Sequence, residues 1–342
     1  MFGTAIRQMG FAWSMLSGRR FRGSHVVGLA EDLRTTLEEF GAPGDRAAEM
    51  LSVSDPQMQW DLTQRRLRRT VQQAARDTPY YRAWFEANGV NPAAVTLDSL
   101  PTVAPTPKTA LRELPAAFVS DRARPVLATT TTGTTGTPTL VWFSQYELEV
   151  MSGLNAVGLM LGGGLRPTHV WANCVSSRSI ARVLMERAVP MAGAAFVQVG
   201  VVDPGTVLDR LTKPLHIPGK AARVTHLNAT ASYLAALVQE AERGGRNARD
   251  FGLEEIRSGG EILTDALRVR AEETFGAPVM DSYSMTEIVP VSGQVCSQRH
   301  LHIPPDQGHV EVLNDGGEGI DDPACSVWRR LHDHASESTK GV

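Results

Sequence analysis

Residues 129–143 read Thr-Thr-Thr-Thr-Gly-Thr-Thr-Gly-Thr-Pro-Thr-Leu-Val-Trp-Phe. Val126 to Thr131 and Thr139 to Phe143 are β-branched or aromatic runs, so the pattern predicts strand, loop, strand. Gly133 and Gly136 allow positive φ and bring backbone N–H groups close to an anion, while the threonine hydroxyls add donors. The loop is therefore predicted to bind phosphate, although a threonine-rich hairpin turn without a ligand has the same composition.

This loop differs from a Walker loop, because no Lys-Ser/Thr pair follows the second glycine and a strand is predicted next. It resembles the phosphate loop of the adenylate-forming enzymes (acyl-CoA synthetases, adenylation domains, luciferases). The phenylacetate-CoA ligase-like branch, with the loop Ser/Thr-Gly-Thr-Thr-Gly-x-Pro-Thr, is the most similar. The resemblance implies that the nucleotide phosphates contact Thr131, Thr132, Gly133, Thr134, Thr135, Gly136 and Thr137.

The composition is that of a soluble globular protein with about two domains. Of 342 residues, 42% are apolar and 21% are charged, and the net charge of -3 gives no reason to expect a nucleic-acid partner. The three cysteines, Cys174, Cys296 and Cys325, are far apart, which favours a reducing compartment and predicts a cytoplasmic protein. Lysine is scarce and occurs only at Lys108, Lys213, Lys220 and Lys340.

The first 122 residues are predicted to be mainly helical. The apolar patch from Met9 to Leu16 is flanked by arginines and is too short to cross a bilayer. It is interpreted as a frayed or amphipathic start of the chain. No membrane partner is expected, and contact of this patch with a membrane surface is the lesser alternative. Apolar residues recur at helical spacing between Trp60 and Gly89, and Asn88-Gly89 supplies a stop signal.

A second signature of the same family lies in this region. Thr78-Pro-Tyr-Tyr-Arg resembles a helix end, Leu97-Asp-Ser-Leu-Pro a turn, and Pro107-Lys108-Thr-Ala-Leu-Arg a helix start. The residues alone predict helix, turn and helix, and they do not indicate a chemical function. Tyr80 and Tyr81 are accordingly expected to be core or subunit-contact residues.

From residue 123 onward the pattern alternates between strands and helices. Ser144-Gln-Tyr-Glu147 has the form of a capping box, which predicts a helix from there to about Leu161. Short apolar runs then interleave with helical segments, which indicates an α/β fold with a mostly parallel sheet and ligands at the carboxyl ends of the strands. The strands are predicted at 170–175, 195–201, 224–228 and 255–257, and the helices at 178–188, 204–211, 232–243 and 263–275.

Two strand ends carry further motifs. Ser258-Gly-Gly-Glu261 closes a strand with two glycines, which lets a flat ring lie against the backbone, although a simple strand-to-helix turn has the same form. Val279 to Glu287 resembles the family signature Asp-x-Tyr-Gly-x-Thr/Ser-Glu, with Ser284 in place of the usual glycine. A carboxylate is a ligand that suits Mg²⁺. The resemblance implies an adenine pocket at Gly259, Gly260, Glu261, Asp281, Ser282 and Tyr283, with catalytic roles for Thr286 near the α-phosphate and Glu287 as magnesium ligand.

The acyl pocket and a metal site are implied less directly. By resemblance, the segment 225–233 forms one wall of the acyl pocket and Trp142 and Phe143 lie near another. The implied substrate residues are Phe143, His226, Asn228 and Thr230. His226 and Asn228 could equally satisfy backbone groups. Cys296 and His302 match the spacing of a structural zinc site in some members of the branch, and closing such a site requires two more ligands.

The pattern of the family ends near residue 314. The ribose-binding aspartate, the hinge and the C-terminal lid with its lysine are not found in residues 315–342, where Asp321 or Asp322 could take the place of the ribose ligand. The predicted organisation is a helical region (1–122), an α/β nucleotide- and acyl-binding core (123–314) and a divergent, irregular tail (315–342). Together these form the large domain of an adenylate-forming enzyme without its lid.

The expected function is activation of a small carboxylic acid, preferably aromatic, to an acyl-adenylate with ATP and Mg²⁺. Coenzyme A is one possible acyl acceptor, and a carrier protein or another nucleophile is the alternative. The alternative is a catalytically weak or silent homologue that binds nucleotide or acyl ligand and acts with a partner chain. The expected protein partners are a second copy of the chain, a lid-supplying protein or an acyl-accepting protein.

Overall fold

The computed structural model describes residues 2–17, 22–41, 55–131, 138–288, 292–296, 298–303 and 309–311. The phosphate-loop residues Thr132 to Thr137 lie outside the described residues. The predicted tail at 315–342, with Asp321, Asp322 and Cys325, lies outside them as well. Within the described part of the chain, no helix is long and apolar enough to cross a membrane.

Helices make up the described residues before the first strand, apart from turns and short 3₁₀ segments. Their bounds are α1 (Phe2–Ser17), α2 (Gly23–Phe40), α3 (Pro56–Asp77), α4 (Pro79–Ala87) and α5 (Lys108–Glu113). Asp55 caps α3 by accepting a hydrogen bond from the Gln57 N–H, and Pro56 occupies the first helical position, where its missing N–H costs nothing.

The helical region predicted between Trp60 and Gly89 is two helices rather than one. Thr78 has extended backbone angles (φ -111°, ψ 116°) and lies between α3 and α4. The residue before a proline is sterically disfavoured in the helical conformation, and Pro79 favours a first helical position. Thr78-Pro79 therefore ends α3 and begins α4, whereas the sequence signature was interpreted only as a helix end. The stop at Asn88-Gly89 is confirmed, since α4 ends at Ala87.

The predicted strand, loop and strand are present as an antiparallel hairpin of β1 (Pro125–Thr130) and β2 (Leu140–Ser144). Two hydrogen bonds close its loop end. The Thr131 N–H donates to the Thr139 carbonyl at 3.0 Å, and the Thr139 N–H donates to Thr131 Oγ1 at 3.0 Å. The structure thus fixes both residues that flank the predicted phosphate loop.

Helix α6 (Gln145–Leu161) begins with the predicted capping box. The Glu147 N–H donates to Ser144 Oγ, and the Ser144 N–H donates to Glu147 Oε2 at 2.6 Å. Two otherwise unpaired N–H groups at the helix start are thereby satisfied.

Replacing Ser144 with alanine is expected to lower the free energy of unfolding by about 1 kcal/mol, because an N-cap side chain is lost. Urea unfolding followed by circular dichroism measures the change. Thr212→Ala is the matched control, because its hydroxyl donates only to backbone carbonyls near the end of its own helix. Equal destabilisation by the two variants would contradict a capping role for Ser144.

The remaining elements alternate along the chain as the sequence predicts. The strands are β3 (Val170–Cys174), β4 (Ala195–Gln198), β5 (His226–Ala229), β6 (Glu255–Gly259), β7 (Val279–Ser284), β8 (Ser292–Val295) and β9 (Leu301–His302). The helices are α7 (Ile180–Met191), α8 (Pro204–Thr212), α9 (Ala231–Arg243) and α10 (Asp265–Phe275). In the described part of the chain these strands form one sheet in the order β4-β3-β5-β6-β7-β8-β9. Pairing is parallel from β4 to β7 and antiparallel between β7, β8 and β9, which confirms a mostly parallel α/β fold.

Apolar residues cover both faces of this sheet. On one face Leu208, Leu234 and Phe275, from α8, α9 and α10, pack in a cluster that includes Leu227 of β5. On the other face residues of α2, α6 and α7 surround Trp171 of β3. Burying each large apolar side chain contributes roughly 1.5–3 kcal/mol. Because both faces are covered, the carboxyl ends of the parallel strands are the edge at which a ligand is expected to bind.

Candidate nucleotide and acyl site

The two segments predicted to hold adenine are neighbours in the sheet. Strands β6 and β7 are parallel, with Ser258 opposite Asp281 and Gly259 opposite Ser282. The segments that follow the two strands therefore leave the sheet at the same edge. The structure brings together two motifs that are about twenty residues apart in the sequence.

The two positions of the first segment hold glycine for different structural reasons. A Cβ on Gly259 would lie 2.6 Å from Ser282 Oγ and 3.0 Å from the Ser282 carbonyl oxygen, so a side chain would force the strands apart. Gly260 has a φ of 79°, which favours glycine, and a Cβ there would meet no atom within 4 Å. The open space for a flat ring is therefore beside Gly260, while Gly259 serves the close approach of β7.

Glu261 has a structural partner within the chain. Its Oε2 accepts a hydrogen bond of 2.7 Å from the Ser232 N–H, in the first turn of α9. A carboxylate is favourable there because the helix N-terminus carries partial positive charge. Thr230 occupies the N-cap position of the same helix, with its Oγ1 3.3 Å from Ser232 Oγ. These contacts account for Glu261 without a nucleotide, and its adenine role stays a prediction.

Asp281 is fixed by an arginine that the sequence analysis did not identify. Arg299 Nη2 lies 3.3 Å from Asp281 Oδ2 and also donates to the Leu263 carbonyl at 3.2 Å. Arg299 Nε lies 3.1 Å from Asp265 Oδ1. The guanidinium therefore connects the β8–β9 turn to β7 and α10. No sequence signal distinguished Arg299 from the other arginines.

Glu287, the predicted magnesium ligand, faces Lys108 at the start of α5. Lys108 Nζ lies 2.8 Å from Glu287 Oε1, and the Glu287 side chain is 15% exposed whereas that of Lys108 is 56% exposed. Glu287 Oε1 is buried and lacks an aligned hydrogen-bond donor, so the contact is an ion pair without hydrogen-bond geometry. Lysine scarcity and the Thr-Pro-Lys sequence were the signals that could have assigned Lys108 to this site.

Tyr283 belongs to the same electrostatic group. Burial raises the pKa of its phenol, the negative charge of Glu287 raises it further, and the ammonium of Lys108 opposes both effects. Thr286 is partly buried and Ser284 is exposed, opposite Ser292 in the β7–β8 pair. The end of β7 and the start of α5 thus form one charged cluster around Glu287.

Two of the predicted substrate residues lie in the core. Phe143 is 3% exposed and packs with Leu148, Met151, Ile180 and Leu184. Its neighbour Trp142, on the other side of β2, is 43% exposed. The predicted contact between Phe143 and substrate therefore has no support in the geometry, because strand alternation turns this side chain inward.

His226 is the second of these core residues, at the amino end of β5 and 3% exposed. Its Nδ1 lies 2.9 Å from Thr225 Oγ1, the Gly163 backbone hydrogen-bonds to the ring, and the ring stacks on Trp171 at 5.7 Å. Burial lowers the pKa of His226 to about 3, assisted by nearby His169 and Arg257. The structure therefore favours the alternative given for His226, in which the imidazole hydrogen-bonds to groups within the protein and does not bind substrate.

Asn228 is placed differently, near the carboxyl end of β5. Its Nδ2 donates to Asn173 Oδ1 at 2.8 Å, and Asn173 Nδ2 donates to Gln198 Oε1 at 2.9 Å. Three amides from neighbouring strands thus form a polar row at the edge where ligands bind in parallel sheets. Asn173 and Gln198 were not identified from the sequence, because the strand order that aligns them is not visible there.

The cysteine–histidine motif also comes together. Ligand atoms of Cys296, His300 and His302 lie within 4.8 Å of one another. Thiolate and imidazole suit zinc, whose structural sites have four ligands, and the group that the described residues form has three. Zinc at this turn therefore stays a prediction.

Comparison with known proteins agrees with the fold. The sequence model of the family described as AMP-binding enzyme matches residues 41–315. Over 282 residues the chain is 27% identical to the phenylacetate-coenzyme A ligase of Thermus thermophilus, covering 78% of this chain and 60% of that protein. It is 26% identical to the Aromatoleum evansii protein of the same name over 280 residues, covering 74% of this chain and 59% of the relative.

A solved structure has the same fold. The structure of 2-hydroxyisobutyryl-CoA ligase, in complex with 2-HIB-AMP and CoA, aligns with a TM-score of 0.66 at 24% identity. The alignment covers 79% of this chain and 58% of that one. The chain thus spans about 60% of the length of the relatives that it matches. Because the family match extends over most of the sequence, the chain belongs to the family of AMP-binding enzymes.

Proposed function

We propose that this chain binds ATP and a small carboxylic acid and joins them as an acyl-adenylate. The observation that carries the proposal is the position of Glu287, whose buried oxygen lies 2.8 Å from Lys108 Nζ and whose charge acts on Tyr283 of β7. In the reaction a carboxylate oxygen of the acid attacks the α-phosphorus of ATP. A new C–O–P linkage forms, the bond to the β-phosphate breaks, and pyrophosphate leaves.

The residues at the ends of β6 and β7 are assigned to the binding of adenosine. The space beside Gly260 admits a flat ring, and Asp281, Ser282 and Tyr283 border it from the neighbouring strand. Arg299 keeps the Asp281 carboxylate from rotating freely. The threonines from Thr131 to Thr137 are assigned to the phosphates, with the hairpin contacts of Thr131 and Thr139 holding both ends of that segment.

Glu287 fits a magnesium ligand in this proposal. Its carboxylate is a hard donor, and Oε1 is a buried oxygen without an aligned hydrogen-bond donor. Bound Mg²⁺ would neutralise charge on the phosphates and orient them. Thr286 precedes Glu287 in the chain and is assigned to the α-phosphate, where its hydroxyl can donate to an oxygen that gains charge.

Lys108 is assigned to the anionic phosphates or to the substrate carboxylate. Its ammonium neutralises Glu287 in the structure, and a cation at that position also attracts ATP. The side chain is more than half exposed, so it can move between these partners at little cost.

Replacing Lys108 with methionine is expected to lower acid-dependent ATP–pyrophosphate exchange by roughly 10- to 100-fold, the effect of losing a charge-assisted hydrogen bond. The change should appear mainly in KM for ATP. Lys213→Met is the matched control, since Lys213 is exposed and follows α8 on the opposite face of the sheet from α6. Equal KM values for ATP in the two variants would show that Lys108 does not bind ATP.

The acid is proposed to be small, with an aromatic acid favoured. Relatives of this chain are named for phenylacetate. A solved structure with the same fold is named for 2-hydroxyisobutyrate. The amide row of Asn228, Asn173 and Gln198 lies at the strand ends and offers hydrogen bonds to a polar substituent. Coenzyme A is the proposed acyl acceptor, by analogy with the names of the same relatives, and the protein is proposed to be cytoplasmic.

Exchange between ATP and labelled pyrophosphate tests the proposal directly. The purified chain is assayed with and without Mg²⁺ across aryl and short aliphatic acids. We expect exchange that requires both Mg²⁺ and an acid, with the fastest acid identifying the substrate class. ATP binding without exchange for any acid would overturn the catalytic proposal and favour the alternative, a nucleotide-binding homologue that acts with a partner chain or a second copy.

A further inference from the structure

The outward face of α1 is almost entirely apolar. Ile6, Met9 and Trp13 are 57%, 67% and 63% exposed, and their spacing of three and four places them on one side of the helix. The described residues of α1 that are exposed are Ala5, Ile6, Gln8, Met9, Ala12 and Trp13. Gln8 alone among these six is polar. A contiguous exposed apolar face of this kind marks a binding surface.

The inward face of α1 carries the polar contacts. Arg7 donates to the Asp32 carboxylate of α2 from Nε at 3.0 Å and from Nη2 at 2.7 and 2.8 Å. Gly10 lies against the His25 ring, and Ser14 donates to the Gly10 carbonyl at 2.9 Å. Arg7 thus attaches α1 to α2, whereas the hydrogen bond from Ser14 lies within α1 itself, and Phe11 is partly buried on the same side of the helix.

None of the described side chains of α1 belongs to the buried core. Helix α2 covers the sheet side, where Val26 lies against Gly153 of α6 and Ala30 joins the cluster around Trp171. Helix α1 packs outside α2, and both precede residues 41–315, which match the family model. The apolar face of α1 is therefore an addition to the shared domain rather than part of its packing.

We propose that α1 lies on the surface of an anionic lipid bilayer, with Ile6, Met9 and Trp13 inserted among the acyl chains near the headgroups. Charge favours this partner. Residues 1–22 contain four arginines and no aspartate or glutamate, and Arg19, Arg20 and Arg22 follow the apolar face. An apolar helix face followed in sequence by a basic cluster is typical of interfacial helices, and tryptophan is enriched at the membrane interface.

Helix dimensions favour a bilayer surface over the alternatives. At 1.5 Å per residue the 16 residues of α1 extend about 24 Å, shorter than the roughly 30 Å of a bilayer core, so the helix lies along the surface. A strip of that length and about 10 Å width covers roughly 250 Å². A stable protein interface buries roughly 800 Å² per partner, so pairing of two copies through α1 alone is insufficient.

Vesicle sedimentation of the full chain tests the proposal. We expect binding to phosphatidylcholine vesicles that contain about 30% phosphatidylglycerol, and much weaker binding to phosphatidylcholine alone. The triple variant Ile6→Gln, Met9→Gln, Trp13→Gln should lower the partition coefficient at least about tenfold. A second variant, Arg19→Gln, Arg20→Gln, Arg22→Gln, should reduce binding and weaken its dependence on salt.

The matched control replaces exposed apolar residues outside α1, Ile217→Gln with Val269→Gln, and should bind as the unmodified chain does. Circular dichroism and gel filtration establish that each variant keeps its fold. Absence of binding to anionic vesicles at low salt overturns the proposal. Undiminished binding by the triple variant overturns it as well, as does a dimer that the triple variant abolishes in the absence of lipid.

Discussion

Replacing Glu287 with glutamine is expected to lower the acid-dependent ATP–pyrophosphate exchange rate by about 100- to 1,000-fold. The amide keeps the size of the side chain but removes the negative charge that holds a divalent cation. Loss of the ion pair to Lys108 should change the free energy of unfolding by less than about 1 kcal/mol, because the lysine is largely exposed. The variant should therefore fold normally and fail in the reaction.

Exchange measured over a range of Mg²⁺ concentrations separates a metal ligand from a residue with another role. Loss of a ligand weakens apparent Mg²⁺ affinity, so part of the lost rate should return at high Mg²⁺. Glu242→Gln is the control, since it removes the same charge and a surface ion pair with Arg270. Exchange by Glu287→Gln within threefold of the unmodified chain would show that the cation is held elsewhere.

The unfolding free energy of the chain is expected to fall by about 2 kcal/mol between about pH 7 and about pH 5 through His226 alone. The folded imidazole has a pKa of about 3, whereas the ordinary value is 6.5. Between these values only the unfolded chain takes up the proton, so acid favours unfolding by about 1.4 kcal/mol per pH unit. The effect is absent above about pH 7, where both states are neutral.

Urea unfolding at the two pH values measures this contribution as a difference between variants. His226→Gln removes the titrating group, so its destabilisation relative to the unmodified chain should shrink by about 2 kcal/mol at the lower pH. His216→Asn is the control, because His216 is exposed and has a positive φ that asparagine tolerates. The burial argument fails if both variants show the same pH dependence.

The order of secondary-structure elements could be predicted because it depends on local patterns. The capping box at Ser144 and the apolar runs of β3, β5 and β6 each act over a few residues, and all appear within two residues of their predicted bounds. The helix end at Thr78-Pro79 was predicted, but the start of α4 at the same place was not, because a proline can both end and begin a helix. Which strands pair is a property of the tertiary fold and was not predictable from these patterns.

The same limit applies to the site. Motifs predicted that Gly260, Asp281 and Glu287 would converge, and the pairing of β6 with β7 is the reason that two of these segments meet. Lys108 and Arg299 reach the cluster from α5 and from the β8–β9 turn, so their positions depend on contacts between distant parts of the chain. For His226 the sequence left two interpretations open, and the structure favours the internal one, because the ring is buried and stacks on Trp171.

The amide row and the neighbouring threonine contact have a consequence for how the chain folds. Asn228 with Asn173, and Thr225 with Val170, each join residues 55 positions apart where β3 meets β5. Strand β4 pairs with β3 at the edge of the sheet, and β5 to β8 each pair with the strand that follows in sequence. The β3–β5 junction therefore closes the longest loop within the sheet and bears its largest closure entropy. Because slow folding follows from distant contacts, we infer that formation of this junction, held by polar pairs, limits the rate at which the sheet assembles.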